Sequence, residues 1–256
     1  MSAELVKLAV KDYVATVTLD HPPVNALNGA LREQIIAAFD AITDREDIRV
    51  AILTGAGKSF CAGADLKDRP NVELPGAYGR HNRITRETTN AIRECEKPVI
   101  AAVNGAALGA GLGLMAACDI MLASENAVFG MPEINVGLAG GATTLRALFG
   151  RSRMRRMLYT GCRIPAAELY RLGIIECCVP LERLMDEATA IAREIADKSP
   201  LGIKYAKLSA NLTELTPSRE VYRFEQGYTV ALAKTDDARE AKQAFLEKRK
   251  PEFKGR

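Results

Sequence analysis

Two histidines, His21 and His81, are all that the 256-residue chain contains. No Gly-x-Ser-x-Gly segment accompanies them, so a Ser-His-Asp hydrolase is disfavoured by inventory. The six cysteines, at 61, 95, 118, 162, 177 and 178, include no Cys-x-x-Cys pair, and neither histidine stands at metal-ligand spacing from them. No metal site is therefore expected. An excess of one charge is missing too: 35 Lys and Arg face 32 Asp and Glu, a formal net charge of +3. That balance argues against nucleic acid or a membrane surface as the main partner and leaves room for a small anionic ligand. The opening residues lack the basic segment and apolar core of a secretion leader, and no apolar run reaches the roughly 18 residues a spanning helix needs. The expectation is a cytoplasmic protein whose thiols are reduced and mostly buried.

What is present is 48% apolar residues, enough for a large core. Residues 5–19 hold two β-branched runs around Lys11-Asp12 and read as a hairpin. Asn28 can cap a helix running to about Thr43. Val50–Thr54, Val99–Val103 and Ile120–Ala123 are short apolar strands separated by helical stretches, which argues for parallel pairing inside an α/β core. Beyond about Val179 the character changes. Residues 181–198, 200–213, 218–234 and 236–248 carry helical periodicity, punctuated by Pro200 and Pro217. Such a segment must cover the core or pack on another subunit, because a lone helical arm leaves its apolar stripe in water.

Two motifs mislead. Gly57-Lys58-Ser59 looks like the end of a Walker A loop, but that pattern needs glycine at 52, which is Ile52 in a strand. Gly109, Gly111 and Gly113 suggest a dinucleotide fingerprint, but the third glycine would fall on Leu114, and Asp119 is too near to be the ribose-binding acid.

Three glycine-punctuated turns remain, each after a strand: Ser59-Phe-Cys-Ala-Gly-Ala-Asp-Leu66, Asn104-Gly-Ala-Ala-Leu-Gly-Ala-Gly-Leu-Gly-Leu114 and Phe129-Gly-Met-Pro-Glu-Ile-Asn-Val-Gly137. The first two resemble the paired oxyanion-hole segments of the crotonase (enoyl-CoA hydratase/isomerase) family, and the third is similar to that family's Phe-Gly-x-Pro-Glu stretch. Pro23-Val-Asn-Ala-Leu27, Thr160-Gly161 and Phe245-Leu-Glu-Lys-Arg-Lys-Pro251 extend the resemblance over nearly the whole chain.

The resemblance implies an α/β fold: a spiral core of β-β-α units over residues 1–195, then a helical trimerisation segment at 196–256, assembling as a trimer or as a hexamer of two trimers. It implies an acyl-CoA thioester substrate, with coenzyme A belonging to the substrate and no separate cofactor. An enolate gathers negative charge on one oxygen, and two backbone N–H donors aimed at that point stabilise it. By the family pattern these donors are Ala64 and Ala110, and a helix starting near Gly111 adds its positive end. Val24, Ala26, Ala62, Leu66, Ala106, Gly109, Gly113 and Pro132 fall on substrate or CoA positions. Asp65 falls there as well, although an Asp in that place ordinarily caps the following helix. Lys250, in the run Lys248-Arg249-Lys250, could reach CoA phosphates.

Glu133 matches the family's Pro-Glu acid and is the expected proton-transfer group. The family's other hydratase glutamate falls on Gly113, and an aspartate position used by dienoyl-CoA isomerases and aromatic dehalogenases falls on Gly141. A single carboxylate near an apolar pocket has a raised pKa and can take and return one proton, which suits double-bond isomerisation. The alternatives are a hydratase-lyase acting on an aromatic enoyl-CoA, with Tyr222 or Tyr228 facing the aromatic hydroxyl, and a non-catalytic acyl-CoA-binding relative.

Overall fold

The structure is a computed structural model and describes residues 3–71, 73–214 and 218–256; Pro217 lies outside the described residues. Its strands are β1 (Val6–Lys11), β2 (Val14–Leu19), β3 (Val50–Gly55), β4 (Ser59–Cys61), β5 (Val99–Val103), β6 (Ala106–Leu108), β7 (Ile120–Ser124), β8 (Val128–Gly130), β9 (Arg163–Pro165) and β10 (Cys177–Val179). Its helices are α1 (Gly29–Asp44), α2 (Ala77–Glu94), α3 (Ala110–Ala116), α4 (Ala142–Leu148), α5 (Arg151–Thr160), α6 (Ala166–Arg171), α7 (Leu181–Ala196), α8 (Pro200–Thr213), α9 (Ser218–Leu232) and α10 (Asp236–Glu247). Short 3-10 turns lie at Leu66–Asp68 and Pro132–Val136.

Asp12 and Tyr13 turn the opening hairpin with positive φ, and β1 pairs antiparallel with β2 in the register Val6 to Leu19. A six-stranded sheet has the order β1-β2-β3-β5-β7-β10, and a four-stranded sheet has the order β4-β6-β8-β9. From β2 to β10 the large sheet is parallel, as are β4, β6 and β8 in the small one. Successive strand pairs β3–β4, β5–β6 and β7–β8 each give one strand to the large sheet and the next to the small one before a helical segment carries the chain back. Three coils of a β-β-α spiral result, stacked side by side.

Alternation along each strand sends neighbouring residues to opposite faces of the large sheet. Ala51, Leu53, Ala101 and Val103 pack toward Leu31, Ile35, Phe39 and Ile42 of α1, while Val50, Ile52, Ile100, Ala102 and Leu122 pack toward Leu184, Ala188, Ala192 and Ala196 of α7. Burial on both faces explains why these strands read as continuous apolar runs. Asn28 caps α1 by accepting from the Leu31 N–H. Cys61, Cys95 and Cys118 are buried and Cys162, Cys177 and Cys178 are half-buried, so half of the thiols rather than most are inside; all six are free. No helix among the described residues is long and apolar enough to cross a membrane.

Lys207 ties the C-terminal helices to this core. It is 6% exposed, and its ammonium donates to the Lys97 carbonyl at 3.0 Å and to Asp119 at 2.9 Å; Asp119 in turn accepts from the Val99 N–H at the head of β5. Lys207→Met removes the cation and leaves those acceptors short of a donor. The expected cost is about 2 kcal/mol, seen as a lower urea midpoint; an unchanged midpoint refutes the tie.

Candidate active site

The three glycine-punctuated turns emerge at one end of the three coils. Residues 24–27 run alongside 62–65, with the Ala62 N–H on the Val24 carbonyl (3.0 Å), the Leu27 N–H on the Gly63 carbonyl (2.8 Å) and the Asp65 N–H on the Leu27 carbonyl (3.0 Å). Asn25, buried, holds this edge by donating to the carbonyls of Ser59 (2.8 Å) and Ala56 (3.0 Å). In this parallel bridge Leu27 bonds to the residues on either side of Ala64. Ala64 therefore directs its own N–H away from Leu27, to the flank where β6 and α3 run.

On that flank the backbones nearly touch. A Cβ added to Gly63, whose φ is +100°, would lie 2.8 Å from the Leu108 carbonyl oxygen and 3.5 Å from the Ala110 nitrogen. A Cβ on Gly111 would overlap the Cys61 carbonyl oxygen at 2.1 Å, and one on Gly105 would overlap the Lys58 carbonyl oxygen at 2.1 Å. These glycines let one coil press against the main chain of the next. Ala110 is the first residue of α3, where an amide has no acceptor within the helix. Neither the Ala64 nor the Ala110 N–H has an acceptor among the described residues.

Glu133 comes to the same place from the third coil. Pro132 opens its 3-10 turn, and Gly137 closes it with φ +72°. The turn is backed by α5, whose terminal Gly161 leaves room for Asn135: a Cβ there would sit 2.9 Å from the Asn135 amide. The Glu133 carboxyl lies over Gly109, where a Cβ would be 2.3 Å from Oε1; Oε2 is buried with no hydrogen-bond partner. Burial pushes its pKa above the usual carboxylate range, while a hydrogen bond from its own backbone and the charge of Arg69 pull the other way.

The remaining expected positions divide. Val24 and Ala26 lie on the segment that runs beside Ala62, whose N–H meets the Val24 carbonyl, and Ala106 opens β6. Leu66 is exposed, and Asp65 caps its turn by accepting from the Lys67 N–H at 2.9 Å. Gly113 lies on α3 between Thr89 and Thr144, with no carboxylate in the first-acid position, and opens on a cavity of ≈ 590 Å³. A side chain at Gly141 would collide with Met131 Sδ at 2.3 Å, so an acid there is sterically excluded as Met131 stands. Lys250 is paired instead with both carboxylate oxygens of Asp197 at 2.8 Å. Tyr228 stacks on Tyr205 with ring centroids 4.8 Å apart, and Tyr222 is 63% exposed.

Arg32 and Arg69 escaped the sequence reading. Arg32 is 2% exposed on α1 and Arg69 follows the turn at Leu66–Asp68; the Nε of each is buried without a partner. The one available signal was a charged residue inside the apolar stripe of Leu31, Ile35, Phe39 and Ile42.

Comparison with known proteins settles the family. The family model described as enoyl-CoA hydratase/isomerase matches residues 9–256. The chain belongs to the enoyl-CoA hydratase/isomerase family. It is 38% identical to a probable mitochondrial enoyl-CoA hydratase of Dictyostelium discoideum over 94% of this chain and 87% of that one. It is 37% identical to the (7aS)-7a-methyl-1,5-dioxo-2,3,5,6,7,7a-hexahydro-1H-indene-carboxyl-CoA hydrolase of Mycobacterium tuberculosis over 92% and 95% of the two chains. The crystal structure of an enoyl-CoA hydratase from Bacillus anthracis superposes with a TM-score of 0.92 at 34% identity, covering 99% of this chain and 100% of that one. The fold is thus the crotonase fold, and the protein is a family enzyme acting on CoA thioesters. The relatives' names differ in the reaction, so membership fixes the thioester class and leaves open which bond reacts.

Proposed function

We propose that this enzyme stabilises a thioester enolate between the main-chain amides of Ala64 and Ala110 and moves a single proton with Glu133, favouring double-bond isomerisation of an enoyl-CoA over hydration. The observation that carries this reading is the meeting, from three successive coils, of two amides without acceptors and one buried carboxyl oxygen without a donor. A carbonyl oxygen seated between the two amides satisfies both and gains most when it becomes an oxyanion. The carbon next to that carbonyl then faces Glu133. Its carboxylate takes a proton from the α carbon, the electron pair moves into the C–C–O system, and the acid formed returns the proton to the γ carbon. Hydration asks for a second group to orient and deprotonate water, and the position that would supply it is Gly113.

In this reading coenzyme A is part of the substrate and no further cofactor is needed. Residues 196–256 serve as the trimerisation segment, a role supported by apolar side chains left in water on the isolated chain, with Phe245 82% exposed and Phe224 and Val230 also exposed. Balanced charge and free thiols support the cytoplasm as the place of action.

Proton exchange tests the chemistry directly. A saturated thioester such as butyryl-CoA, incubated with the enzyme in deuterated water, is expected to gain deuterium at its α carbon. Binding without exchange identifies an acyl-CoA holder instead and overturns the catalytic reading. A panel of α,β- and β,γ-unsaturated CoA esters assayed in both directions then separates isomerisation from hydration.

A further inference from the structure

Gly113 opens on a cavity for which the chemistry above has no use. The space, ≈ 590 Å³, lies between α2, α3 and α4, with Thr89, Asn90 and Arg93 on α2, Gly113 on α3 and Thr144 on α4 among its walls. A Cβ added to Gly113 would meet only Thr89 Cγ2 at 3.8 Å and Thr144 Oγ1 at 3.9 Å, and both threonines line the cavity, so the bare side of Gly113 faces into it. At the preceding turn of the chain, a Cβ on Gly109 would lie 2.3 Å from Glu133 Oε1, and the Gly113 N–H closes that turn on the Gly109 carbonyl at 3.1 Å. Positions one helical turn apart have Cβ atoms about 5–6 Å from each other. The cavity therefore begins only a few carbon–carbon bonds from the Glu133 carboxyl.

Its walls carry hydrogen-bonding groups. Thr144 and Asn90 are half-buried, and neither side chain has a hydrogen-bond partner among the described residues. Thr89 donates its hydroxyl hydrogen to the Arg86 carbonyl at 2.9 Å and keeps its lone pairs. Arg93 faces Glu214 at 3.7 Å, so two opposite charges on this wall offset each other, and Arg146, the other cation of the lining, is exposed. A hydrocarbon tail laid in this space strips water from Thr144 and Asn90 and returns no hydrogen bond; a tail that carries a hydroxyl returns one.

Resting on the function proposed above, we propose that the cavity beside Gly113 receives the far end of the acyl group and that Thr144 and Asn90 select tails bearing a neutral hydroxyl, so that the preferred substrates are hydroxylated acyl-CoA thioesters rather than those of plain fatty acids. Glycine at 113 provides the entrance, and the two side chains provide the choice.

The test titrates four saturated thioesters calorimetrically into the full-length protein: butyryl-CoA, too short to enter the cavity, and hexanoyl-CoA, 6-hydroxyhexanoyl-CoA and adipyl-CoA, which differ only at the sixth carbon. The wild type is expected to bind the hydroxylated member about three- to tenfold more tightly than hexanoyl-CoA. Thr144→Val combined with Asn90→Leu, which keeps the shapes and removes the hydrogen-bonding groups, is expected to abolish that preference by weakening the hydroxylated member. Gly113→Leu, whose side chain enters the cavity, is expected to weaken both neutral six-carbon thioesters about tenfold relative to butyryl-CoA; if it does not fold, the threonine and asparagine variant carries the test alone. Equal affinity for hexanoyl- and 6-hydroxyhexanoyl-CoA overturns the proposal, as does a preference that survives the double substitution. Adipyl-CoA binding more tightly than the hydroxylated thioester overturns it too, since that marks a site for charge. Proton exchange separates the two readings. If butyryl-CoA exchanges its α protons while the neutral six-carbon thioesters bind alike, the cavity assignment falls and the proton-transfer reading stands; if the hydroxyl preference appears without exchange, the reverse holds; if no thioester binds, both fall.

Discussion

Glu133→Gln is expected to lower turnover of an enoyl thioester by about 10²- to 10⁴-fold with little change in KM. The amide keeps the shape of the side chain over Gly109 and removes only the carboxylate proposed to accept and return a proton. Turnover within a few-fold of the wild type ends the role assigned to this residue. The same substitution has a second, independent readout in stability. Burial raises the folded-state pKa of Glu133 above its ordinary 4.5, so between 4.5 and the raised value the native state binds more protons than the unfolded chain. Stability therefore falls as pH rises through that window, and the loss is complete above it. Glutamine carries no charge and escapes the loss. The variant is expected to melt higher than the wild type at neutral pH, with the difference vanishing below pH 4.5. A variant that gains nothing at neutral pH shows that the carboxylate is not held against its own solvation.

Gly111→Ala is the steric counterpart. The added methyl would meet the Cys61 carbonyl oxygen at 2.1 Å and its carbon at 2.8 Å, both main-chain atoms that cannot swing aside. The coil carrying Ala64 and the coil carrying Ala110 must then move apart. A stability loss of about 1–3 kcal/mol is expected from overpacking, together with a fall in turnover of about 10²- to 10³-fold, the scale of losing one oxyanion donor. Gly113→Ala, two residues along the same helix, is the control. Its methyl would find only Thr89 Cγ2 at 3.8 Å and Thr144 Oγ1 at 3.9 Å, ordinary contacts, and α3 gains about 0.8 kcal/mol of helix propensity. If both alanines behave alike, close approach of the coils is not what the glycine at 111 provides.

The large sheet was legible in the chain because its strands are buried on both faces. Val50–Gly55, Val99–Val103 and Ile120–Ser124 lie within two residues of where apolar runs put them, and the four C-terminal helices begin where expected. The small sheet was not legible. Its β4, β6, β8 and β9 are three residues each, too short for any alternation to register. Helix α2 was expected only as a helical stretch without bounds between β3 and β5, because it is strongly polar, with Thr88 and Ile92 its buried residues. Within the site, the glycine spacing exposed the two main-chain segments because close backbone approach leaves a mark in composition. Arg32 left only its place inside the apolar stripe of α1 and Arg69 left no mark, since a lone arginine looks alike on a wet surface and in a half-buried turn.

The bridge at Leu27 has a lasting consequence. By occupying the carbonyl of residue 63 and the amide of residue 65, it fixes the facing of the peptide between them whatever side chain stands at 64. Genetic drift at that codon can recolour the wall of the pocket without rotating the amide, short of introducing proline, which deletes the hydrogen outright. If the Ala64 amide polarises the thioester as proposed, that half of the machinery is inherited with the chain trace itself, while side chains such as those at 113 and 133 stay free to change.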